Sequence, residues 1–149
     1  MSKKQVLQEL AEAYEQVIAT ALAARQRGSA GRTQAWGARE IIAHMAGWEI
    51  ITGVDLPRVV AGLPPLEFAD SAQQHALDDA INAALVRLSG NQSLEALCAL
   101  LRQAYQSNIE FLRTLDERFF QPGAYAYDYW QTVSEHCREH REQLAPAQV

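Results

Sequence analysis

The chain has 149 residues, of which 48% are hydrophobic and 21% are charged. These values are typical of one globular domain and exclude a disordered or fibrous chain, so we expect residues 1–149 to form a single domain. The formal net charge is −5 and no lysine–arginine patch is present, which argues against a nucleic-acid partner. Apolar runs fall short of the roughly 18 residues that a membrane span needs, and no signal peptide is recognisable. We therefore expect a cytoplasmic protein without a membrane partner.

Hydrophobic residues recur at intervals of three and four along most of the chain, which predicts an all-α protein. The first helix is expected from about residue 3 to Arg27, where the glycines of the segment RGSAGR end it. The second helix is expected from about Gly37 to Ala61. Pro57 lies inside this range, so we expect a kink or an early end near Leu56.

The second half of the chain predicts three more helices. A shorter helix is expected from about Asp70 to Leu88, and Ser93 is placed to cap the next one. The segment FFQPGAYAYDY predicts the last loop, followed by a final helix from about Asp128 to Leu144. The link that contains the short helix is far longer than the roughly 2–8 residues that usually join antiparallel neighbours. A four-helix bundle of up-down-down-up order, with this helix in its crossover, is compatible with that length.

Three of the four histidines fall on apolar helix faces. His136 and His140 are four residues apart, which puts both on one face of the final helix. His44 lies on the apolar face of the second helix, whereas His75 has no such pattern and is expected at the surface. An unsatisfied buried polar group costs about 1–3 kcal/mol, and neutral imidazole is the commonest metal ligand. His44, His136 and His140 are therefore candidate ligands of a divalent metal, and Zn, Ni, Fe and Cu all suit such a set.

Two metal-binding motifs are excluded by their spacing. No glutamate precedes any histidine by three residues, so the Glu-x-x-His motif of di-iron bundles is absent. Cys137 rather than glutamate follows His136, so the HExxH motif of zinc proteases is absent as well. Histidines that are only hydrogen-bonded would give the same HxxxH pattern, and that alternative stays open.

Aromatic and cysteine residues near these histidines have two interpretations each. Trp48, Trp36 and Tyr129 are candidates for lining a substrate pocket, although core packing is commoner for such side chains. Cys137 lies in mid-helix, away from the N-terminal dipole that lowers a thiol pKa, so we expect it to be a buried thiol rather than a nucleophile. Cys98 is expected to be buried too.

The segments AWGAREIIAHMAGWE and HCREHREQL together resemble the DinB-like (damage-inducible) superfamily of four-helix bundles. The resemblance extends over nearly the whole chain, including the crossover AGLPPLEFADSAQQHALDDAINAAL. It implies an up-down-down-up bundle, frequently a homodimer, with a divalent metal held by His44, His136 and His140. The chain departs from the family pattern at Gly37, where serine or threonine often caps the second helix, and at Cys137, where tyrosine is common.

The function that the resemblance implies is a metal-dependent enzyme acting on small electrophiles. Some members of the superfamily are thiol S-transferases that use bacillithiol or mycothiol, and others resemble hydrolases that open a cyclopropane. The expected partner is thus a small-molecule substrate, with a low-molecular-weight thiol as one class. No carboxylate is placed near the metal by the sequence, so no general base is assigned. Two alternatives are a non-catalytic dimer that binds a metal or ligand in a stress response, and a helical interaction protein without a metal.

Overall fold

The computed structural model describes residues 1–26, 36–66 and 71–146, and in these ranges it contains five α-helices and no β-strand. The all-α prediction is confirmed. None of these helices combines the length and the apolar character that crossing a membrane requires. The helices are α1 (Lys3–Gln26), α2 (Ala38–Val60), α3 (Ser71–Leu88), α4 (Leu94–Arg113) and α5 (Tyr125–Leu144), with a 3-10 helix at Glu117–Phe120.

The second helix does not end early at its proline. It continues through Pro57 to Val60, and the Ala61 N–H donates to the Pro57 carbonyl oxygen at 3.1 Å. Proline lacks the N–H that would reach the residue four positions before it, but it leaves the following turn intact. Leu56, only 1% exposed, packs into the core at this point. Burial of its side chain offsets the one missing hydrogen bond. Of the two expectations, a kink or an early end near Leu56, the early end is wrong, and the helix stops one residue before the predicted Ala61.

The other helix ends agree with the sequence to within a few residues, with one clear difference. The final helix begins at Tyr125 rather than at Asp128, because the Asp128 N–H already donates to the Ala124 carbonyl oxygen at 3.0 Å. The predicted loop is therefore shorter and includes a 3-10 turn. Ser93 caps α4 as predicted, its hydroxyl accepting from the Ala96 N–H at 3.1 Å. The predicted end at Arg27, the segment RGSAGR and the predicted start at Asp70 lie outside the described residues.

The core lies between the four long helices. α2 packs mainly against α4, and α1 packs mainly against α5 and also against α4. α3 lies against α2. The largest side chains that are fully buried in this core are Phe120, Leu10, Ile18, Ile41, Ile42, Leu56, Leu97, Leu101, Leu112 and Leu144.

Polar contacts at three levels join α1 to the α4 region. The Lys3 Nζ donates to the Leu115 carbonyl oxygen at 2.6 Å, just after α4 ends. Near the middle, Arg102 donates to both carboxylate oxygens of Glu15 at 2.7 and 2.9 Å. Near the end of α1, Arg25 pairs with Glu95 in the first turn of α4.

Candidate metal centre

The three candidate histidines meet inside the bundle. The Nε2 atoms of His44 and His140 lie 3.2 Å apart, those of His44 and His136 lie 3.4 Å apart, and those of His136 and His140 lie 2.8 Å apart. His44 comes from α2, and the other two come from successive turns of α5. His44 and His140 are 3% and 8% exposed, and His136 is partly buried. The three rings thus form one compact cluster at the α2–α5 contact.

The size of the cluster fits a divalent metal. Three imidazole nitrogens at 2.0–2.1 Å from a tetrahedral Zn²⁺ lie roughly 3.3 Å from one another, and octahedral ligands at similar distances lie roughly 3.0 Å apart. The observed separations of 2.8–3.4 Å span both values. The residues present therefore fit the metal, although their spacing does not select among the candidate ions.

Hydrogen bonds at the opposite ring nitrogens fix the form of two of these histidines. The His44 Nδ1–H donates to the Ile41 carbonyl oxygen at 2.6 Å, and the His140 Nδ1–H donates to the Gln143 Oε1 at 2.7 Å. A neutral imidazole that is protonated at Nδ1 has a lone pair at Nε2. Partners of this kind typically orient metal-binding histidines. Both lone pairs are thus directed into the cluster.

The cluster holds more acceptors than donors. In the described part of the chain, the hydrogen-bonding contacts of the three Nε2 atoms are with one another only. His136 can supply one N–H at most from its Nε2, so the lone pairs of His44 and His140 cannot both be satisfied within the cluster, which leaves a position that a cation can fill. A proton is a poor substitute, because burial and then the two neighbouring histidines lower the pKa of His44 to about 3.

The other two histidines are also held in the neutral form. Burial, followed by the neighbouring His140, lowers the pKa of His136 to about 4. Burial lowers the pKa of His140 as well, partly offset by its hydrogen bond to Gln143. At neutral pH all three imidazoles are therefore uncharged, which is the form that binds metals.

A cavity of about 400 Å³ lies beside the cluster. Two of the aromatic residues that the sequence suggested, Trp48 and Tyr129, lie in its wall. Trp36 does not line it; its ring centroid lies 4.9 Å from that of His44, so it packs on the cluster itself. The described residues that line the cavity are His44, Trp48, Glu49, Thr52, Asp78, Asn82, Tyr129, Thr132, Val133 and His136.

Glu49 is the functional candidate that the sequence did not reveal. It is 5% exposed and binds one residue from each of the other long helices. The Tyr14 hydroxyl of α1 donates to its Oε1, while the Tyr129 hydroxyl of α5 and the Asn108 amide of α4 donate to its Oε2 at 2.8 and 2.7 Å. Asn108 also donates to the Glu49 carbonyl oxygen at 2.9 Å. These residues form a second polar layer, here called the Glu49 layer.

Burial dominates the electrostatics of the Glu49 layer. Removal from water raises the pKa of Glu49, and the three donors lower it in part. Burial and the nearby carboxylate raise the pKa of Tyr129 well above its usual value, so this phenol remains a donor. One sequence signal was available: Glu49 lies seven residues after Ile42 and seven before Leu56, both buried on the same helix face.

The remaining candidates behave as structural residues. His75 is exposed, as predicted. Cys98 and Cys137 are buried, at 3% and 2% exposure, which confirms the prediction for both. Burial, then the carboxylate of Glu49, raises the pKa of Cys137 to about 12, so its thiol is protonated at neutral pH and is a poor nucleophile.

Comparisons with protein-family models, with curated proteins and with solved structures give no match for this chain. The resemblance to the DinB-like superfamily therefore stays a prediction. The case for a function rests on the geometry of the histidine cluster, the cavity and the Glu49 layer.

Proposed function

We propose that this protein is a metal-dependent enzyme of DinB-like type, in which His44, His136 and His140 hold one divalent metal. The observation that carries the proposal is the convergence of three Nε2 atoms within 3.4 Å, with more lone pairs than the surrounding residues can satisfy. Three protein ligands leave a coordination position free, as catalytic sites require.

The cavity beside the cluster supports a reaction on a small molecule. His44 and His136 belong to its wall, so a substrate bound there contacts the proposed centre. When bound, a divalent metal would act as a Lewis acid that increases the acidity of a water or thiol reaching it. The reaction is then either hydrolysis of a small electrophile or transfer of a low-molecular-weight thiol to one.

Glu49 is the proton acceptor that we assign to this reaction. Glu49 lines the same cavity as His44 and His136. Burial raises its pKa, which makes it a stronger base than an exposed carboxylate. Tyr129, which donates to it at 2.8 Å and also lines the cavity, holds the carboxylate in position beside the cavity.

The proposal includes the up-down-down-up order of the four long helices. Supporting it, the start of α1 contacts the region after α4, and the end of α1 contacts the start of α4. Those contacts support opposite directions for α1 and α4, whereas two contacts support the same direction for α2 and α4. Arg39 at the start of α2 donates to the Gln92 carbonyl oxygen just before α4 at 2.8 Å, and Glu49 contacts Asn108 further along both helices. We also expect a cytoplasmic protein, and a homodimer as the resemblance implies, whose mass light scattering tests.

The first experiment is metal analysis of tag-free protein by plasma mass spectrometry. We expect about one equivalent of a divalent metal in the wild type, and loss of it in the His136→Ala, His140→Ala double variant. His75→Ala is the matched control, because His75 is exposed and lies outside the cluster. Failure of the wild type to bind added Zn²⁺ or Ni²⁺ would contradict the metal site and the enzyme with it.

The second experiment separates the two reactions. Metal-loaded protein is assayed with an activated aryl ester for hydrolysis, and with 1-chloro-2,4-dinitrobenzene plus 2-mercaptoethanol for thiol transfer. Metal-dependent turnover that is lost in the double variant supports the enzyme. Metal binding without turnover in a broader set of electrophiles would instead support the non-catalytic dimer.

A further inference from the structure

The cavity extends from the histidines along α2 to a wall formed by α3. The Trp48 Nε1–H donates to the Asn82 Oδ1 at 2.5 Å, which joins α3 to α2 at this level. At the residue before Trp48, Gly47 permits the close approach of Leu85, because a Cβ at Gly47 would overlap the Leu85 side chain. The side chains of α3 that reach the cavity are therefore held in place by two neighbouring contacts.

Asp78 lies at the end of the cavity that is farther from the histidines. α2 and α3 run in opposite directions along this contact. Gly47 of α2 lies against Leu85 of α3, and the next residue, Trp48, contacts the earlier Asn82. Asp78, one turn before Asn82, therefore lies near the level of Thr52, and both line the cavity. At 1.5 Å per residue, Thr52 is roughly 12 Å along the helix axis from His44. The cavity thus has a histidine end and an Asp78 end.

The ionisable carboxyl groups in the lining of the cavity have no basic counterpart. Its described lining contains two carboxyl side chains, Glu49 and Asp78, and no lysine or arginine. Glu49 is enclosed by donors from its own layer. Asp78 accepts one hydrogen bond, from the Gln74 amide at 2.8 Å, and forms no ion pair in the described ranges. A negative charge without a protein counter-charge therefore remains at the far end.

We propose that the substrate carries a positively charged amine, which binds at Asp78 while its reactive atom lies at the histidines. The inference rests on the proposed metal site and names the substrate class that this site accepts. An ammonium group supplies the counter-charge that Asp78 lacks, and the Trp48 ring between the two ends gives the connecting chain an apolar contact. A carboxylate at the same position would meet Asp78 with no cation beside it, so anionic substrates are disfavoured.

The test uses three thiols of equal length that differ only in their far end: 8-amino-1-octanethiol, 8-mercapto-1-octanol and 8-mercaptooctanoate. Each is titrated into Co²⁺-loaded protein, and thiolate binding is followed by the cobalt–sulfur absorption band. We expect the aminothiol to bind about tenfold more tightly than the carboxylate thiol, with the alcohol between them. In Asp78→Asn the preference should fall to within about twofold, whereas Asp79→Asn, an exposed neighbour outside the lining, keeps it.

The outcomes separate this inference from the proposed function. Equal binding of the three thiols to the wild type, or a preference that survives Asp78→Asn, would overturn the inference and leave the metal site intact. Absence of cobalt binding would overturn the metal site, and the inference with it. Folding of each variant is checked by circular dichroism, and the neutral thiol serves as an internal reference because its affinity should not change.

Discussion

The core of this bundle contains two polar layers that are equally buried but differ in their hydrogen bonding. In the Glu49 layer, a carboxyl group that is 5% exposed receives donors from the other three long helices. In the histidine cluster, His44 is 3% exposed, but the hydrogen-bonding contacts of the Nε2 atoms are only with one another within the described chain. The first layer is complete in the protein alone, whereas the second has lone pairs that its own donors do not satisfy and that a cation could accept.

The difference shows how a polar layer that is complete within the protein can be told from one that can take a ligand. Burial alone does not separate them, because both layers are removed from water. The count of hydrogen-bond donors and acceptors does separate the two layers. A complete network joins its helices and specifies how they assemble, while an excess of lone pairs marks a position where a ligand belongs.

The largest expected effect is that of metal on stability. At a free Zn²⁺ concentration 1,000 times its dissociation constant, the free energy of unfolding should rise by about 4 kcal/mol. His136→Ala should remove most of this gain but cost only about 1 kcal/mol in metal-free protein, since it removes one hydrogen bond and a side chain that is only partly buried. Urea unfolding with zinc and with a chelator measures both values. A similar loss under the two conditions would mean that the histidines are ordinary core residues.

Glu49→Ala should produce the opposite pattern. The substitution leaves the buried donors of Tyr14, Asn108 and Tyr129 without their acceptor, at about 1 kcal/mol or more each. We expect a loss of about 3 kcal/mol that is the same with zinc and with a chelator. Glu12→Ala, on the exposed face of α1, is the control and should change stability by less than about 0.5 kcal/mol. A loss that depended on zinc would place Glu49 among the metal ligands instead.

The histidine cluster was accessible to sequence reasoning because each histidine carries a local signal of its own, although His44 lies 92 residues from His136. The spacing of His136 and His140, and the position of His44 on an apolar face, follow from helical periodicity alone. The Glu49 layer gives no comparable signal, because its partners Tyr14, Asn108 and Tyr129, which lie 35, 59 and 80 residues away, do not form a recognisable ligand set. A glutamate on a buried stripe can be noticed in a sequence, but its donors come from helices whose mutual register the sequence does not fix.

Two helix bounds show a similar limit. The proline rule predicts an end near Leu56, but burial of that side chain outweighs one lost hydrogen bond. At the last helix, the Pro–Gly pair before Ala124 marks the turn, and the sequence predicts a loop for the tyrosines that follow it, whereas they form the first turn of the helix. Local preference locates the elements, and tertiary packing sets where each one stops.

The pH dependence of the unfolding free energy of metal-free protein should be an effect of intermediate size. The pKa of His44 is about 3 and that of His136 about 4, against 6.5 in the unfolded chain. Below pH 6.5 the unfolded chain therefore binds protons that the folded protein does not, and stability falls as the pH decreases towards 4. Each histidine contributes a slope of up to about 1.4 kcal/mol per pH unit. Glu49, whose pKa is raised, contributes in the opposite sense, since its share of stability falls as the pH rises.

The check is unfolding at pH 7, 6 and 5 in the presence of a chelator. The His136→Ala, His140→Ala double variant should show a smaller decrease between pH 6.5 and 5 than the wild type, while His75→Ala should match the wild type. Identical slopes in the wild type and the double variant would show that these imidazoles accept protons in the folded state, contrary to their burial.

The smallest expected effect tests whether the two layers are independent. Tyr14→Phe removes one donor to Glu49 while keeping the ring that stacks on Tyr105 at 4.8 Å, so we expect a loss of about 1 kcal/mol. Tyr14 and His140 share no hydrogen-bond partner in the described chain. The effect of Tyr14→Phe should therefore add to that of His140→Ala within about 0.5 kcal/mol in metal-free protein, and zinc affinity should not change. A coupling above about 1 kcal/mol, measured in a double-mutant cycle, would mean that the Glu49 layer positions the histidines, and the distinction between the two layers would fail.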